Sequence, residues 1–280
     1  MPFPVDTPPE SNIMKKIIAS LLLSVAATSV SADPIKDAVA SSERPAEQRI
    51  RDEFRNPQQT LHFFDIQPEM TVVEISPGGG WYSNILAPLL KDNGQYYAAH
   101  FYVDENTRDY FRKSREKFEQ KIKTHAPYKN VKLTAFHTTK GKVKIAPDNS
   151  ADKVLTFRNV HNWYMRGGDE AVLSAFQQFY AALQQGGELG VVEHRLPESA
   201  EDKAQEKSGY MKQSYVVKMA EKAGFKFLES SEINANLKDT AQHPKGVWTL
   251  PPRLALGEEN ASHYMAIGES DRMTLKFVKP

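Results

Sequence analysis

The chain has 280 residues, of which 40% are hydrophobic and 25% charged, so it can bury a full core and fits the size of one large α/β domain. Its formal net charge is only +1, with 36 basic residues against 35 acidic ones, and this balance disfavours nucleic acid or an acidic membrane as a partner. The sequence holds no cysteine, which excludes disulfides and leaves no residue to carry a lipoprotein anchor.

The N-terminal segment predicts export. Two lysines precede an apolar run at residues 17–27, and small residues ending in Ser-x-Ala follow, which is the pattern of a secretory signal peptide. The apolar run is shorter than the roughly 20 residues that a membrane span needs. We expect a signal peptide at about residues 14–32, cleaved after Ala32, and a mis-called translation start ahead of Met14. The mature protein would be periplasmic or secreted, with no stable membrane anchor.

The mature chain begins with a charged, proline-punctuated segment at residues 33–70, whose short helical patterns predict a helical brace or lid. From residue 71 onward, strand and helix patterns alternate. Strands are predicted at residues 71–76, 95–101, 131–136, 151–157, 188–194, 225–233 and 272–280. Helices are predicted at residues 81–90, 105–123, 169–185 and 208–224. The alternation predicts an α/β domain over residues 71–280, with a parallel sheet covered by helices on both faces.

The stretch VVEISPGGGWYS, residues 72–83, places three consecutive glycines between a strand and a helix. Such a turn lets backbone N–H groups and the N-terminus of the following helix approach a polar or anionic ligand with no Cβ in the way. A glycine-rich turn also serves simply as a tight corner between strand and helix. The motif alone leaves both interpretations open.

Two further strand ends carry crowded polar residues, in FRNVHNW at residues 157–163 and in VVEHR at residues 191–195. Ligands of parallel α/β sheets bind at the carboxyl ends of the strands, and polar groups are costly to bury there without partners. His161, Glu193 and His194 are therefore candidate acid–base residues. The alternative is a structural network in which these groups satisfy one another.

Several blocks of the sequence together resemble one known group of enzymes. The blocks are RNPQQTLHFF, EISPGGGWY, LTFRNVHNW, GVVEHR, SEINANLKDT, GVWTLPP and IGESDRMTLKFVKP. The order of elements, with an acid before the glycines, resembles the class I S-adenosylmethionine (SAM)-dependent methyltransferases. More narrowly, the blocks are similar to a family of bacterial, often exported, predicted methyltransferases over residues 55–280. The resemblance implies a Rossmann-like three-layer sandwich, with a mostly parallel seven-stranded sheet and an antiparallel final strand.

The same resemblance implies SAM as the cofactor and assigns residues to its site. These are Glu74, Ser76, Gly78, Gly79, Gly80, Tyr82, His100, Arg158 and Asn159. Two positions depart from the superfamily pattern. Ser76 stands where glycine is usual, and His100 stands where an acid normally receives the ribose hydroxyls. An imidazole lacks the bidentate acceptor geometry of a carboxylate, so we expect weaker SAM binding.

By the same analogy, FRNVHNW lines the site of methyl transfer to a small-molecule acceptor. The implied catalytic residues are His161, Glu193 and His194, and the implied substrate-binding residues are Asn162, Trp163 and Trp248. Methyl transfer is an in-line displacement, so alignment supplies much of the catalysis and a base is needed only when the acceptor loses a proton. The two histidines are the candidate bases, and the glutamate would orient a histidine or receive part of the substrate. No metal is expected.

The region at residues 232–257 interrupts the last pair of predicted strands. Its length and its asparagine, proline and tryptophan content are typical of a lid or a substrate-recognition loop. The alternative is an ordered loop that caps the edge of the sheet, with Trp248 as its plug.

Three alternatives to an exported methyltransferase remain open, because SAM is made in the cytosol. Residues 1–12 could mask the N-terminal helix of a cytosolic enzyme. The chain could be an exported Rossmann-like protein that binds another ligand without methyl transfer. It could also be a metal-dependent hydrolase with His161, Glu193 and His194 as ligands, although no metal-motif spacing such as H-E-x-x-H supports this.

Overall fold

The computed structural model of the chain describes residues 1–5, 33–139 and 143–280. Residues 1–5 carry no helix or strand, and residues 33–280 form one folded unit. The predicted signal peptide at residues 14–32 lies outside the described residues. None of the helices in the described ranges is both long and apolar enough to cross a membrane.

Helices and strands alternate from residue 71 onward, as the sequence predicts. The helices are α1 (Pro34–Ala40), α2 (Ala46–Arg49), α3 (Asp52–Arg55), α4 (Pro57–Phe63), α5 (Ser83–Leu90), α6 (Asp109–Thr124), α7 (Val160–Ala182), α8 (Gln213–Lys222) and α9 (Ala261–Ile267). The strands are β1 (Thr71–Ile75), β2 (Gln95–Phe101), β3 (Lys132–Phe136), β4 (Ala151–Phe157), β5 (Leu183–Leu196), β6 (Met211–Lys212), β7 (Lys226–Ser231) and β8 (Arg272–Val278).

The strands form one sheet in the order β3-β2-β1-β4-β5-β8-β7, with the two-residue strand β6 paired to β5. Strands β1 to β5 pair in parallel, whereas β8 runs antiparallel to both β5 and β7. The predicted α/β fold with an antiparallel final strand is therefore confirmed. The sheet has eight strands and not the predicted seven. The additional strand, β6, has only two residues, too few to show the alternation of apolar and polar residues that predicts a strand.

The central strands are apolar on both faces because both faces are covered by helices. On one face, Val73 of β1 belongs to a buried cluster with Phe176 of α7. On the other face, Val72 belongs to a second cluster with Ile85 of α5 and Leu61 of α4. Adjacent residues of one strand thus enter two separate cores, which gives the three layers of the fold.

Helix α7 consists of two helical segments that meet at Gly167 and Gly168; the second begins near residue 169, as the sequence predicts, whereas the first, which begins at Val160, was not predicted. Its first turn is capped by Glu193 of β5, a partner that is distant in the sequence and so invisible to local pattern. The helix is kinked at Gly167 and Gly168, and Gly168 adopts a φ of +58°. FRNVHNW is therefore a strand end followed directly by a helix N-terminus.

The connection between β7 and β8 contains a 3₁₀ turn at Gly246–Thr249 and helix α9. Asp271, just before β8, accepts hydrogen bonds from the Asn236 backbone N–H at 2.8 Å and from the Arg195 side chain at 2.8 Å and 3.0 Å. Leu250 is fully buried. These contacts fix the connection against the sheet.

Candidate active site

A cavity of about 1410 Å³ lies at the carboxyl ends of β1, β2, β4 and β5, beside the start of β8. It is at the point where strand order reverses, between β1 and β4, where ligands of such sheets bind. Pockets for one small ligand are typically about 300–1,000 Å³. This cavity therefore has room for two ligands side by side.

Most of the residues that the sequence assigns to the site line this cavity. They are Glu74, Ser76, Gly78, Gly79, Tyr82, Arg158, Asn159, His161, Asn162, Trp163, His194 and Trp248. The remaining three, Gly80, His100 and Glu193, lie behind the cavity wall. They support the residues in front of them, as their contacts show.

The glycine loop after β1 alternates left-handed and ordinary backbone. Ser76, Gly78 and Gly80 have φ values of +50°, +58° and +78°. Ser76 therefore occupies a conformation that favours glycine, which costs a serine about 1 kcal/mol or more. A Cβ on Gly79 would meet nothing within 4 Å, whereas a Cβ on Gly80 would lie 3.2 Å from Phe118 Cε2. Gly79 thus faces open space, and Gly80 packs inward.

His100 supports the glycine loop from behind. The Phe101 backbone N–H donates to its Nδ1 at 2.8 Å, so the proton is on Nε2, which donates to the Gly78 carbonyl at 3.1 Å. Burial lowers the pKa of His100 to about 4, so the imidazole is neutral. The structure thus places this residue behind the glycine loop, in contact with its backbone, and the ribose contact that the resemblance implies stays a prediction.

Glu74 is buried at the end of β1, with a cavity-facing position beneath the loop. Its carboxylate accepts hydrogen bonds from Tyr96 Oη at 2.5 Å and Ser83 Oγ at 2.8 Å. Burial raises the pKa of Glu74 to about 7, against the opposing effect of these two hydrogen bonds and of Lys121. At neutral pH this carboxyl is therefore poised between its two protonation states.

The crevice between β1 and β4 is held by an amide and by stacked rings. Asn159 Nδ2 donates to the Ile75 carbonyl at 3.0 Å and to Thr156 Oγ1 at 3.2 Å, tying the end of β4 to β1. Tyr82 stacks on Phe157 with ring centroids 3.6 Å apart and planes 9° apart. Both contacts fix the floor of the cavity.

Glu193 of β5 organises the histidine side of the site. Its Oε1 lies 2.8 Å from His161 Nδ1 and accepts the His194 backbone N–H at 2.8 Å. Its Oε2 accepts the backbone N–H groups of Val160 at 2.6 Å and of His161 at 3.3 Å. Asn162 Nδ2 is 2.9 Å from His161 Nε2. Glu193 is therefore a positioning residue that orients His161, with no face on the cavity.

His194 also faces the cavity and is a second candidate base. Its Nδ1 lies 2.5 Å from Ser270 Oγ, and its ring centroid is 5.2 Å from that of His161. Burial lowers the pKa of His194 well below its ordinary value, and the positive charges of Arg272 and Arg158 act in the same direction. The imidazole is thus neutral, and the same effects weaken it as a base.

Two tryptophans line the cavity near the histidines. Trp163 is buried against Phe136 and Phe179, with ring centroids 5.2 Å and 5.6 Å away. Trp248, in the 3₁₀ turn, lies 6.2 Å from the His161 ring and also packs on a small cluster that includes Tyr210. Trp248 therefore lines the cavity and plugs the loop at once.

The three residues His161, Glu193 and His194 could in principle hold a metal ion, since one ligand atom from each lies within 4.8 Å of the others. Both Glu193 oxygens, however, already accept N–H groups, and both His161 ring nitrogens have partners. A metal would have to displace these hydrogen bonds. The residues fit a hydrogen-bonded network better than a metal centre.

The sequence analysis assigned Arg158 to the site but did not predict the arginine cluster that surrounds it on the cavity wall. Its members are Arg51, Arg55, Arg158, Arg272 and Glu269. Glu269 accepts from Arg51 Nε at 2.7 Å, from Arg55 Nε at 3.1 Å and from Arg272 Nη2 at 2.5 Å. The arginines come from segments far apart in the sequence, so no local spacing indicates that they lie together. Apart from Arg158 in FRNVHNW, the one-turn spacing of Arg51 and Arg55 was the available signal.

The fold is similar to solved structures at low sequence identity. One is a SAM-dependent methyltransferase from Aquifex aeolicus, with 18% identity and a TM-score of 0.50, covering 72% of this chain and 94% of that chain. Another is a geranyl diphosphate methyltransferase in complex with SAM, with 9% identity and a TM-score of 0.50, covering 88% and 95%. A third is the [4+2]-cyclase SpnF, with 14% identity and a TM-score of 0.50, covering 88% and 92%.

No protein-family model matches the sequence, and a search of curated proteins gives no match. At identities of 9–18% the structural likeness shows the fold alone. The chain therefore has the Rossmann-like fold found among class I SAM-dependent methyltransferases.

Proposed function

We propose that the chain is a SAM-dependent methyltransferase of a small-molecule acceptor. One observation carries the proposal: a left-handed glycine loop and a pair of histidines, one of them oriented by Glu193, line a single cavity large enough for two ligands. The methyltransferases among the structural neighbours, one of them bound to SAM, support it. The signal-peptide pattern supports a periplasmic or secreted location for this activity.

The glycine loop is the side that would hold the cofactor. Ser76, Gly78 and Gly79 line the cavity, and the space that a side chain at Gly79 would occupy is empty. Glu74 lies beneath, with a carboxyl that a nearby positive charge would hold in its ionised form. Bound SAM would supply an electrophilic methyl group carried on a sulfonium.

The histidine side would hold the acceptor. Glu193 and Asn162 fix the ring of His161 from both of its nitrogens, so the ring keeps one orientation toward the cavity. His194 is neutral and is the group that would take up a proton when the acceptor must lose one, and its lowered pKa makes it a weak base for that step. The chain's contribution is then alignment of the acceptor and removal of a proton, which suits an in-line displacement.

A second candidate, a ligand-binding protein without methyl transfer, is favoured by one observation. Ser76 holds a strained conformation where glycine is usual, and His100 contacts the loop backbone instead of the cavity. The neighbour described as a [4+2]-cyclase supports the idea that this fold hosts other chemistry.

Calorimetric titration of SAM and S-adenosylhomocysteine into the full chain tests the proposal. We expect saturable binding that Gly79→Asp abolishes, since its carboxylate would enter the open space in front of the loop. Gly79→Ala is the matched control and should keep binding, because it adds a Cβ without charge. Absence of binding by the folded wild type would overturn the proposal and favour the second candidate.

A further inference from the structure

The arginine cluster on the cavity wall carries more positive charge than its surroundings balance. Arg51, Arg55 and Arg272 all bond to the one carboxylate of Glu269, whose pKa they hold at about 2 together with Arg158, although burial alone would raise it. The cavity as a whole is lined by seven arginines against four carboxyl groups. One carboxylate cannot neutralise four guanidinium groups, and buried excess charge is costly.

Arg158 is the member of the cluster that lacks a partner. In the described ranges, 33–139 and 143–280, its guanidinium makes no hydrogen bond and no ion pair. Arg158 nevertheless lines the cavity and interacts electrostatically with Arg272, Glu269 and Arg51. Its backbone adopts a φ of +61°, in the left-handed region that a long side chain rarely occupies. Such strain persists where the surrounding structure requires the side chain at that place.

The cluster lies beside the candidate base. Arg272 of β8 stands opposite His194 of β5 in the sheet register, and Ser270 Oγ lies 3.4 Å from Arg272 Nε as well as 2.5 Å from His194 Nδ1. An oxyanion held by the arginines would therefore lie next to the proton acceptor of the acceptor site. The cluster reaches the histidine side of the cavity through Arg272 and also borders the end of the glycine loop, where Arg55 lies 4.7 Å from the centre of the Trp81 ring.

We propose that the acceptor carries an oxyanionic group, a carboxylate or a phosphate, which Arg158 binds with support from Arg51, Arg55 and Arg272. This deepens the proposed function and rests on it. Guanidinium groups donate paired hydrogen bonds to planar or tetrahedral oxyanions, which supplies the partners that Arg158 lacks. The added negative charge would also offset the positive charges that hold down the basicity of His194.

Two other roles compete with this proposal. The arginines could serve only to pin Glu269, and so the N-terminal helices, to the start of β8. Alternatively, they could receive the carboxylate of the cofactor instead of an acceptor group. The first role predicts no anion binding, and the second predicts that a cofactor analogue and a free oxyanion compete.

Tryptophan fluorescence provides the measurement, because all three tryptophans of the chain line this cavity. Inorganic phosphate is titrated into the full chain, and it replaces chloride in the buffer so that the ionic strength stays constant. We expect a saturable change that Arg158→Gln weakens about tenfold or more. Arg166→Gln is the matched control, since Arg166 lines the same cavity but is exposed over the Phe111 ring, and it should bind phosphate as the wild type does.

The titration is then repeated on protein saturated with S-adenosylhomocysteine. Phosphate binding that persists there, and is lost in Arg158→Gln, supports an anionic acceptor. Phosphate that binds only when the nucleoside is absent assigns the cluster to the cofactor and overturns the proposal, as does a titration with no saturable change. Arg158→Lys, which keeps the charge but not the paired donors, should bind phosphate with intermediate strength and covers the case of a misfolded Arg158→Gln.

The two proposals fail separately. If S-adenosylhomocysteine does not bind but phosphate binds through Arg158, the methyltransferase proposal falls and the oxyanion site remains for another ligand. If the nucleoside binds and phosphate does not, the anionic acceptor falls and the methyltransferase proposal remains.

Discussion

Glu193 Oε1 lies 2.8 Å from His161 Nδ1, while Oε2 of the same carboxylate accepts the first backbone N–H of the helix that carries His161. The residue at the N-cap position of α7, Asn159, makes no side-chain cap of its own. One buried group on β5 therefore caps the helix and orients its imidazole. The orientation of His161 therefore depends on the sheet through Glu193.

Replacing Glu193 with glutamine should destabilise the fold. A glutamine offers one accepting oxygen where the carboxylate now receives N–H groups on both, and it loses the negative charge at a helix N-terminus. We expect the free energy of unfolding to fall by about 1–3 kcal/mol, measured by urea denaturation. Glu170→Gln, on the exposed side of α7, should leave it within about 0.5 kcal/mol. Equal curves for wild type and Glu193→Gln would show that the cap carries no stability.

The glycine loop predicts opposite outcomes for two adjacent residues. Gly80→Ala adds a Cβ 3.2 Å from Phe118 Cε2 at a φ of +78°, so we expect a loss of about 1 kcal/mol or more. Gly79→Ala adds a Cβ in open space at an ordinary φ, so its thermal midpoint should match that of the wild type. Thermal unfolding of both variants decides this. A Gly80→Ala protein as stable as Gly79→Ala would contradict the packed position of Gly80.

The raised pKa of Glu74 makes the effect of its replacement depend on pH. The pKa is about 7 in the folded chain against 4.5 ordinarily, so the unfolded chain loses this proton first as pH rises, and the fold loses stability between about pH 4.5 and 7. Glu74→Gln removes that loss. Its free energy of unfolding relative to wild type should therefore increase between pH 5 and pH 8, by up to about 3 kcal/mol.

The comparison with wild type is needed because His100 acts in the opposite sense. Its pKa is lowered by burial to about 4, so its contribution to stability is complete above about pH 6.5 and is lost as pH falls from there toward 4. Both proteins in the Glu74→Gln comparison retain His100, so its contribution cancels in the difference. Urea midpoints at several pH values give the result, and parallel curves would contradict a raised pKa at Glu74.

The sequence predicted correctly those elements whose bounds depend on the residues within them. Strands β2 and β4 begin and end where their apolar runs do, at residues 95–101 and 151–157. The first segment of α7, which begins at Val160, was missed because its cap comes from Glu193, on another strand. The arginine cluster was missed for the same reason: residues from the N-terminal helices, from the end of β4 and from the start of β8 meet only in the folded chain. Tertiary partners, not propensity, place these groups.

The crowded contacts of Glu193 also lead to a prediction about metals. Zn²⁺ at His161, Glu193 and His194 would have to displace hydrogen bonds from both of the first two, which costs about 1–3 kcal/mol for each buried group left unpaired. We expect no stoichiometric zinc in the dialysed full chain by elemental analysis, and no rise in thermal midpoint on adding Zn²⁺. A zinc-dependent rise that His194→Asn removes, and that the exposed variant His263→Asn keeps, would instead establish a metal centre and revive the hydrolase alternative.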